Sequence, residues 1–355
     1  MKKLNVAIIG QGRSGCDIHG KYFRSERNEF YNVKYVVDAD AYRREKAEKI
    51  YPGCKTFENY TDLFGLEDID LVVNSTYSEM HGPVTKDLLL HGFNVLVEKP
   101  FARTRYECDE LIKLAKDKNL VLAVFQQTFL APFCQYAYEL AKSGKLGRIL
   151  QVNLHYSALS RRYDWQTMQK RCAGGAYNTG PHPIGIGLGF LDFAEDTQVI
   201  YSKLDNALCS GDADDYAKIL FTAPGKPLID VEINNTDAYC PYTLKIQGTR
   251  GTYKSTRSEG EMTYIVDEEN PAPALEEETL RDPNGDPMYC KDTLTKRTET
   301  VTFDGKFDQA AADLYKSLYY KIVDGTPMYV TPEMAAAVIS VIEAAHAQNP
   351  MPGKF

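Results

Sequence analysis

Leu4-Asn5-Val6-Ala7-Ile8-Ile9-Gly10-Gln11-Gly12-Arg13-Ser14-Gly15 decides the fold. The apolar run reads as a buried strand, and it passes directly into a GxGxxG loop that should open a helix. Gly10 can make the tight turn, Gly12 lets backbone approach a pyrophosphate, and Gly15 lets the helix pack close to the strand. Phosphates would meet the helix amino terminus, whose free N–H groups and partial positive charge attract anions. Gln11, Arg13 and Ser14 complete the candidate cofactor loop. A second strand, residues 32–37, closes on Asp38 at about the 20-residue distance expected for a carboxylate gripping ribose hydroxyls. That carboxylate would repel a 2′-phosphate, which favours NAD over NADP. Arg43 and Arg44 would soften the repulsion only by turning inward, and they read as a solvated helix face.

Working outward, residues 70–75, 93–97 and 120–125 read as strands alternating with helices at 82–91 and 103–118, the order of a parallel sheet. After about Gln126 the texture changes. Strands at 149–156, 217–221, 228–234 and 242–247 follow with little helix between, as in a largely antiparallel sheet. The fold class is therefore α/β: an N-terminal Rossmann domain with a doubly wound parallel sheet over residues 1–125, then an α+β domain over 126–355 with a large, mainly antiparallel open sheet. The acidic stretch 255–297 reads as a long hairpin or excursion. The closing helix, 332–346, begins after Thr331 with proline in its first turn, and is a candidate to pack back on the first domain.

The 355 residues are 43% hydrophobic with a net charge of −8, enough for real cores and unfavourable for nucleic acid or an anionic membrane as partner. No stretch is long enough to span a bilayer. The eight cysteines show no CxxC spacing, so neither a metal site nor a disulfide framework is indicated, and a reducing, cytoplasmic setting is the simplest.

The chemistry-bearing residues lie at the ends of these elements. Glu98-Lys99-Pro100 follows the 93–97 strand, where doubly wound sheets bind ligands, so the Lys99 cation can hold a substrate oxygen. Ser75, Thr76, Glu98 and Gln127 are candidate cofactor contacts, and Gln126 a candidate sugar contact. His81 either touches cofactor or caps the next helix. Asn178 and His182 are four residues apart; if this segment opens a helix they share one face within about 5–6 Å. Gly174 and Gly175 would let backbone approach the nicotinamide. A histidine titrating near neutrality can take an alcohol proton as hydride leaves the same carbon. Tyr163, Asp164 and Trp165 precede that segment as candidate substrate contacts, with Trp165 walling the pocket or entering the core. The bracketing cations Arg161, Arg162, Lys170 and Arg171 read as solvated surface, although they would suit a carboxylate or phosphate. His19, His91, His155 and His346 read as structural or solvent-facing.

Taken in order, the glycine loop, Asp38, His81, Glu98-Lys99-Pro100, Asp164-Trp165, Gly174-Gly175, Asn178-Thr179-Gly180-Pro181-His182 and Gly248-Thr249-Arg250-Gly251 resemble the glucose-fructose oxidoreductase and inositol dehydrogenase family, Gfo/Idh/MocA, over nearly the whole chain. The resemblance implies hydride transfer between a nicotinamide and a secondary alcohol or ketone of a sugar, polyol or sugar derivative. Lys99 then matches the strand-end lysine, His182 the catalytic histidine, and position 178 the third member. Three positions depart from the commonest pattern. Asn178 stands where aspartate is frequent, and an amide cannot relay a proton; Gly185 replaces an acidic residue, and Tyr77 a proline. An NAD-dependent glycosidase working by transient oxidation and elimination is one alternative. A non-catalytic cofactor-binding regulator is another, disfavoured by the presence of both Lys99 and His182. Members pair through the open sheet, so a homodimer or homotetramer is implied. The uncovered face of strands such as 228–233 is costly to expose if apolar patches on it exceed a few hundred Å².

Asp38 generates the first test: NAD(H) should bind more tightly than NADP(H) in a fluorescence titration, and equal affinity would remove the ribose-carboxylate argument.

Overall fold

The computed structural model describes residues 2–303 and 307–355. Six strands, β1 (Leu4–Ile9), β2 (Tyr31–Val37), β3 (Lys55–Phe57), β4 (Leu71–Asn74), β5 (Val95–Val97) and β6 (Leu122–Val124), form one sheet in the order β3-β2-β1-β4-β5-β6. Every pairing in it is parallel. Val6, Ala7, Ile8, Val72 and Val73 are fully buried, as a parallel sheet covered on both faces requires. The strand order reverses between β1 and β4, so the crevice at their carboxyl ends, beside Gly10 and Ser75, is where such a sheet takes a ligand.

Helices α1 (Gly20–Phe23), α2 (Ala41–Ile50), α3 (His81–Leu90) and α4 (Arg105–Asp117) belong to this layer. The segment after the glycine loop, Arg13–His19, winds as a π-helix before α1 and brings His19 to full burial. Thr104 and Glu107 exchange hydrogen bonds in a capping box at the start of α4, and Cys108, Leu111, Ile112 and Ala115 form its buried stripe.

The second sheet has eight strands: β7 (Ile149–Ser157), β8 (Gln198–Asp205), β9 (Tyr216–Thr222), β10 (Leu228–Asn234), β11 (Leu244–Gly248), β12 (Gly251–Ser255), β13 (Glu259–Tyr264) and β14 (Arg297–Thr302). Their order is β14-β13-β12-β11-β7-β10-β9-β8, and only the central β7–β10 pair is parallel. The stretch 255–297 is a long hairpin whose arms include β13 and β14, and residues 271–296 between them are almost wholly exposed. Five more helices follow the first sheet: α5 (Pro132–Lys142), α6 (Gly175–Asn178), α7 (Pro181–Phe190), α8 (Phe307–Asp324) and α9 (Pro332–Gln348). A Cβ at Gly187 would press on Leu154, Phe221 and Ile229, so glycine lets α7 lie close on that apolar face. Helix α9 packs between α4 and β8, tied to α4 by the Arg105 N–H donating to Glu343 Oε2 at 2.9 Å.

The opposite face of the sheet does not meet the condition under which exposure would be costly. Lys218 pairs with Asp230 at 2.7 Å and with Glu232 at 3.1 Å, and Asn153 hydrogen-bonds both Gln151 and Gln247. Side chains alternate across a strand, and here the outward set is largely polar, so exposing it costs little hydrophobic free energy.

Helix α8 returns to the first sheet. Ala311, Leu314, Tyr315, Leu318 and Tyr319 enter one core with Tyr22, Phe23, Tyr31 and Val36, and Tyr315 stacks on Tyr22 with ring centroids 4.2 Å apart. Among the described residues no helix is long and apolar enough to cross a membrane.

The glycine loop separates fold from binding. A Cβ at Gly15 would overlap the Gly10 carbonyl, whereas one at Gly12 meets nothing within 4 Å. Gly15→Ala should therefore lower stability by about 1 kcal/mol or more, while Gly12→Ala should melt like the parent and bind NADH more weakly. Melting curves with and without NADH check this, and equal midpoints for the two variants would contradict it.

Candidate active site

The dinucleotide crevice is built from β1, β2 and β4. Gly10 has φ +87°, which supplies the turn. The Ser75 hydroxyl contacts the carbonyls of Ile9 at 2.7 Å and Gly10 at 3.0 Å, pinning the loop to β4. Asp38 accepts the Gln11 N–H at 2.7 Å and the Asp40 N–H at 2.9 Å, so it fixes the loop as well as ending β2. An open Gly12, a tight Gly10 and this carboxylate fit a dinucleotide. Arg43 stays on the exposed face, with Nη1 3.5 Å from Asp38 Oδ2, whereas Arg44 turns in and donates to the carbonyls of Asp38 at 2.7 Å and Ala39 at 2.9 Å. Thr76 is held by Asn74, whose Oδ1 accepts its hydroxyl at 2.7 Å. Gln127 is buried, and its Oε1 has no hydrogen-bond partner among the described residues.

Lys99 leaves the end of β5 and donates from Nζ to the Asn178 carbonyl at 3.1 Å. Burial lowers its pKa, with Arg13 and Arg162 adding to that and the Glu98 carboxylate opposing it. Glu98 is 3% exposed, with His19 Nε2 at 3.1 Å from Oε1 and the Lys99 N–H donating to Oε2 at 3.1 Å. Burial pushes its carboxyl up, but His19, Lys99 and His81 prevail and hold it at about 2. His19 Nδ1 in turn shares a 2.8 Å hydrogen bond with Tyr315 of α8. His81 is buried with both ring nitrogens on main chain, Nδ1 at 2.7 Å from the Pro100 carbonyl and Nε2 at 3.2 Å from that of Thr76. It thus clamps the β4 loop to the lysine segment.

Gly174, at φ +112°, opens the second-domain segment. Asp214 cradles it, taking the Gly175 N–H on its carbonyl at 2.6 Å and the Ala176 N–H on Oδ2 at 2.7 Å. Asn178 and His182 do not share a helix face. Pro181 has no N–H to extend the helix, so α6 stops at Asn178 and α7 starts afresh. The Asn178 amide turns away to donate to the Gln166 carbonyl at 2.9 Å, leaving its backbone carbonyl to Lys99. His182 shares a 2.7 Å hydrogen bond through Nδ1 with the Thr128 hydroxyl. Burial, reinforced by Lys99 and Arg257, lowers its pKa to about 3, so the imidazole is held neutral.

The remaining candidates line or support this space. Gln126 is buried and donates to the Pro181 carbonyl at 2.7 Å, fixing the start of α7. A Cβ at Gly185 would strike the Phe129 ring, which occupies the room an acidic side chain would need. Trp165 is half-buried and meets the Tyr77 ring edge-on at 4.9 Å, with Arg171 lying 5.0 Å from the same ring. Arg171 is paired with Glu79, and Arg162 with Asp164 at 2.9 Å. Tyr163 is 83% exposed. Sequence reasoning missed Thr128, Asp214, Tyr315 and Arg257, and gave His19 only a structural part; none carries a local motif.

A Rossmann crevice facing a lysine and a neutral histidine defines a nicotinamide-dependent oxidoreductase. The chain belongs to the GFO/IDH/MocA oxidoreductase family: the family model for the NAD-binding Rossmann fold matches residues 4–126, and that for the C-terminal domain matches residues 134–254. The uncharacterized oxidoreductase C115.03 of Schizosaccharomyces pombe is 26% identical over 263 residues, 71% of either chain. An inositol 2-dehydrogenase of Salmonella paratyphi B is 26% identical over 251 residues, 68% of this chain and 71% of its own. A 2,7-anhydro-N-acetylneuraminate hydratase of Mediterraneibacter gnavus is 24% identical over 169 residues, 48% of this chain and 42% of its own. Among solved structures, GenD2 of gentamicin A biosynthesis in complex with NAD shares the fold at a TM-score of 0.76 and 18% identity, covering 100% of this chain and 97% of that one. The protein is a dehydrogenase with an NAD-binding Rossmann domain, of a family acting on CH–OH groups.

Asp214 offers a pH test away from the chemistry. Burial raises its pKa from 3.8 to about 7, so the folded state binds a proton that the unfolded state releases. The stability this contributes is complete below pH 3.8 and lost as pH rises through about 7. Asp214→Asn should flatten that part of the stability–pH curve, read by denaturant unfolding at several pH values; an unchanged slope would refute it.

Proposed function

We propose that the protein oxidises a secondary alcohol of a sugar, polyol or sugar derivative to the ketone, with NAD preferred to NADP, and runs the reverse reduction when the cofactor arrives reduced. The observation that carries this reading is the reach of Lys99, from the carboxyl end of a parallel strand, to the Asn178 carbonyl at 3.1 Å on the segment that leads to His182. When bound, the nicotinamide supplies the hydride acceptor. Gly10, Gln11, Gly12, Arg13, Ser14, Gly15, Asp38, Ser75 and Thr76 would hold the cofactor, with Glu98 and Gln127 beneath.

Lys99 orients the substrate hydroxyl and favours alkoxide character on it. His182 takes the hydroxyl proton, its ring aimed by Thr128. Asn178 contributes its carbonyl to place Lys99 and takes no proton. The Trp165–Tyr77 edge gives the C–H face of a sugar ring an aromatic surface. The family relationship supports pairing into a homodimer or homotetramer through the open sheet, whose polar outer face would meet its partner by ion pairs and hydrogen bonds, and eight free cysteines suit a reducing cytoplasm. The relationship to a hydratase keeps a second reading, transient oxidation followed by elimination, in which sugar is released without net NADH.

Lys99→Ala and His182→Ala should each cut turnover by about 10² to 10⁴ with NADH binding largely kept. Because His182 is held neutral, the oxidation rate should show no acid limb near pH 6.5 and should fall on the alkaline side, below the ordinary lysine range, as Lys99 deprotonates. A screen of polyols, aldoses and sugar acids followed by pH–rate profiles checks this. Near-parental turnover in either variant would move the chemistry elsewhere.

A further inference from the structure

The turn between β12 and β13 carries Thr256, Arg257 and Ser258. Leu244 of β11 pairs with both Leu154 of β7 and Ser255 of β12, which sets this turn beside the carboxyl end of β7. The catalytic segment lies at the same end of the sheet. A side chain at Gly175 would touch Ile233, and Ile233 is the partner of Tyr156 on β7. From the turn, Arg257 lays its guanidinium 5.0 Å from the Tyr156 ring centroid.

Several neighbouring cations are compensated and Arg257 is not. Arg162 has Asp164, Arg171 has Glu79 and Lys218 has two carboxylates, whereas Arg257 is exposed and has no carboxylate partner among the described residues. A guanidinium over an aromatic ring still has N–H groups at its edge to offer a planar oxyanion. Its charge also bears on the reaction. His182 becomes an imidazolium when it takes a proton, and Arg257 and Lys99 both oppose that charge. A neutral substrate leaves the opposition in place, and an anionic one cancels it.

We infer that the substrate carries an anionic group, a carboxylate or a phosphate, which docks on Arg257 beside the carbon held between Lys99 and His182. This rests on the dehydrogenase reading of the same site and narrows its substrate class.

The test is calorimetric binding of glucose, glucuronate and glucose 6-phosphate to the NADH-loaded protein at low salt, which reads no turnover. Glucuronate or glucose 6-phosphate should bind at least about tenfold more tightly than glucose, as expected for a charge-assisted fork, and the stronger of the two identifies the anion. Arg257→Ala should abolish the preference with the melting midpoint unchanged, and Arg257→Lys should keep part of it. Equal binding of glucose, a preference that survives Arg257→Ala, or no binding by any of the three would overturn the inference. An intact, Arg257-dependent preference without oxidation of any alcohol in the wider screen would sink the dehydrogenase reading and leave the anion site standing.

Discussion

A buried carboxylate stays ionised only if its surroundings replace the water it has lost, a debt on the order of several kcal/mol. Glu98 meets that condition at the end of β5 with three separate groups: His19 from the glycine-loop helix, Lys99 beside it in the chain, and His81 across the β4 loop. Each of those groups is thereby drawn to the centre of the site. Its negative charge opposes the burial that would strip Lys99 of its proton, and the His19 ring it engages extends to Tyr315 in α8. Removing the carboxylate would free three elements at once.

The cofactor half of the site was legible because its determinants are local. A glycine that must turn, one that must stay open and a carboxylate at the next strand end are spaced by the backbone of one βαβ unit, so sequence distance stands for spatial distance. Lys99 was legible for the same reason, as the residue after a strand. The helix-face argument for Asn178 and His182 failed on Pro181, a signal that was present and outweighed by spacing. Thr128 and Arg257 were not legible, since each meets His182 or its neighbours only after the second sheet has assembled. The inward turn of Arg44 depends on backbone carbonyls at the end of β2, which composition does not reveal.

The segment from Gly174 to His182 is held by its backbone more than by its side chains. Asp214 takes two successive N–H groups at the start of α6, Gln126 takes the Pro181 carbonyl at the start of α7, and Lys99 takes the Asn178 carbonyl between them. Two short helices with a break between them leave carbonyls and N–H groups unpaired, and the Asp214 carbonyl together with the side chains of Asp214, Gln126 and Lys99 completes them. An asparagine at 178 is compatible with that arrangement, because the main chain of the residue is what Lys99 requires.

The return of α8 onto the first sheet carries a consequence for the order in which the protein can be made. A ribosome releases β1, the glycine loop and β2 long before residues 307–324 exist, and until those residues emerge Tyr22, Phe23 and Tyr31 lack the partners they pack against. The nucleotide-binding half therefore cannot close its core as the chain leaves the tunnel. Its aromatic surface stays open until α8 has been made, so the two halves mature together.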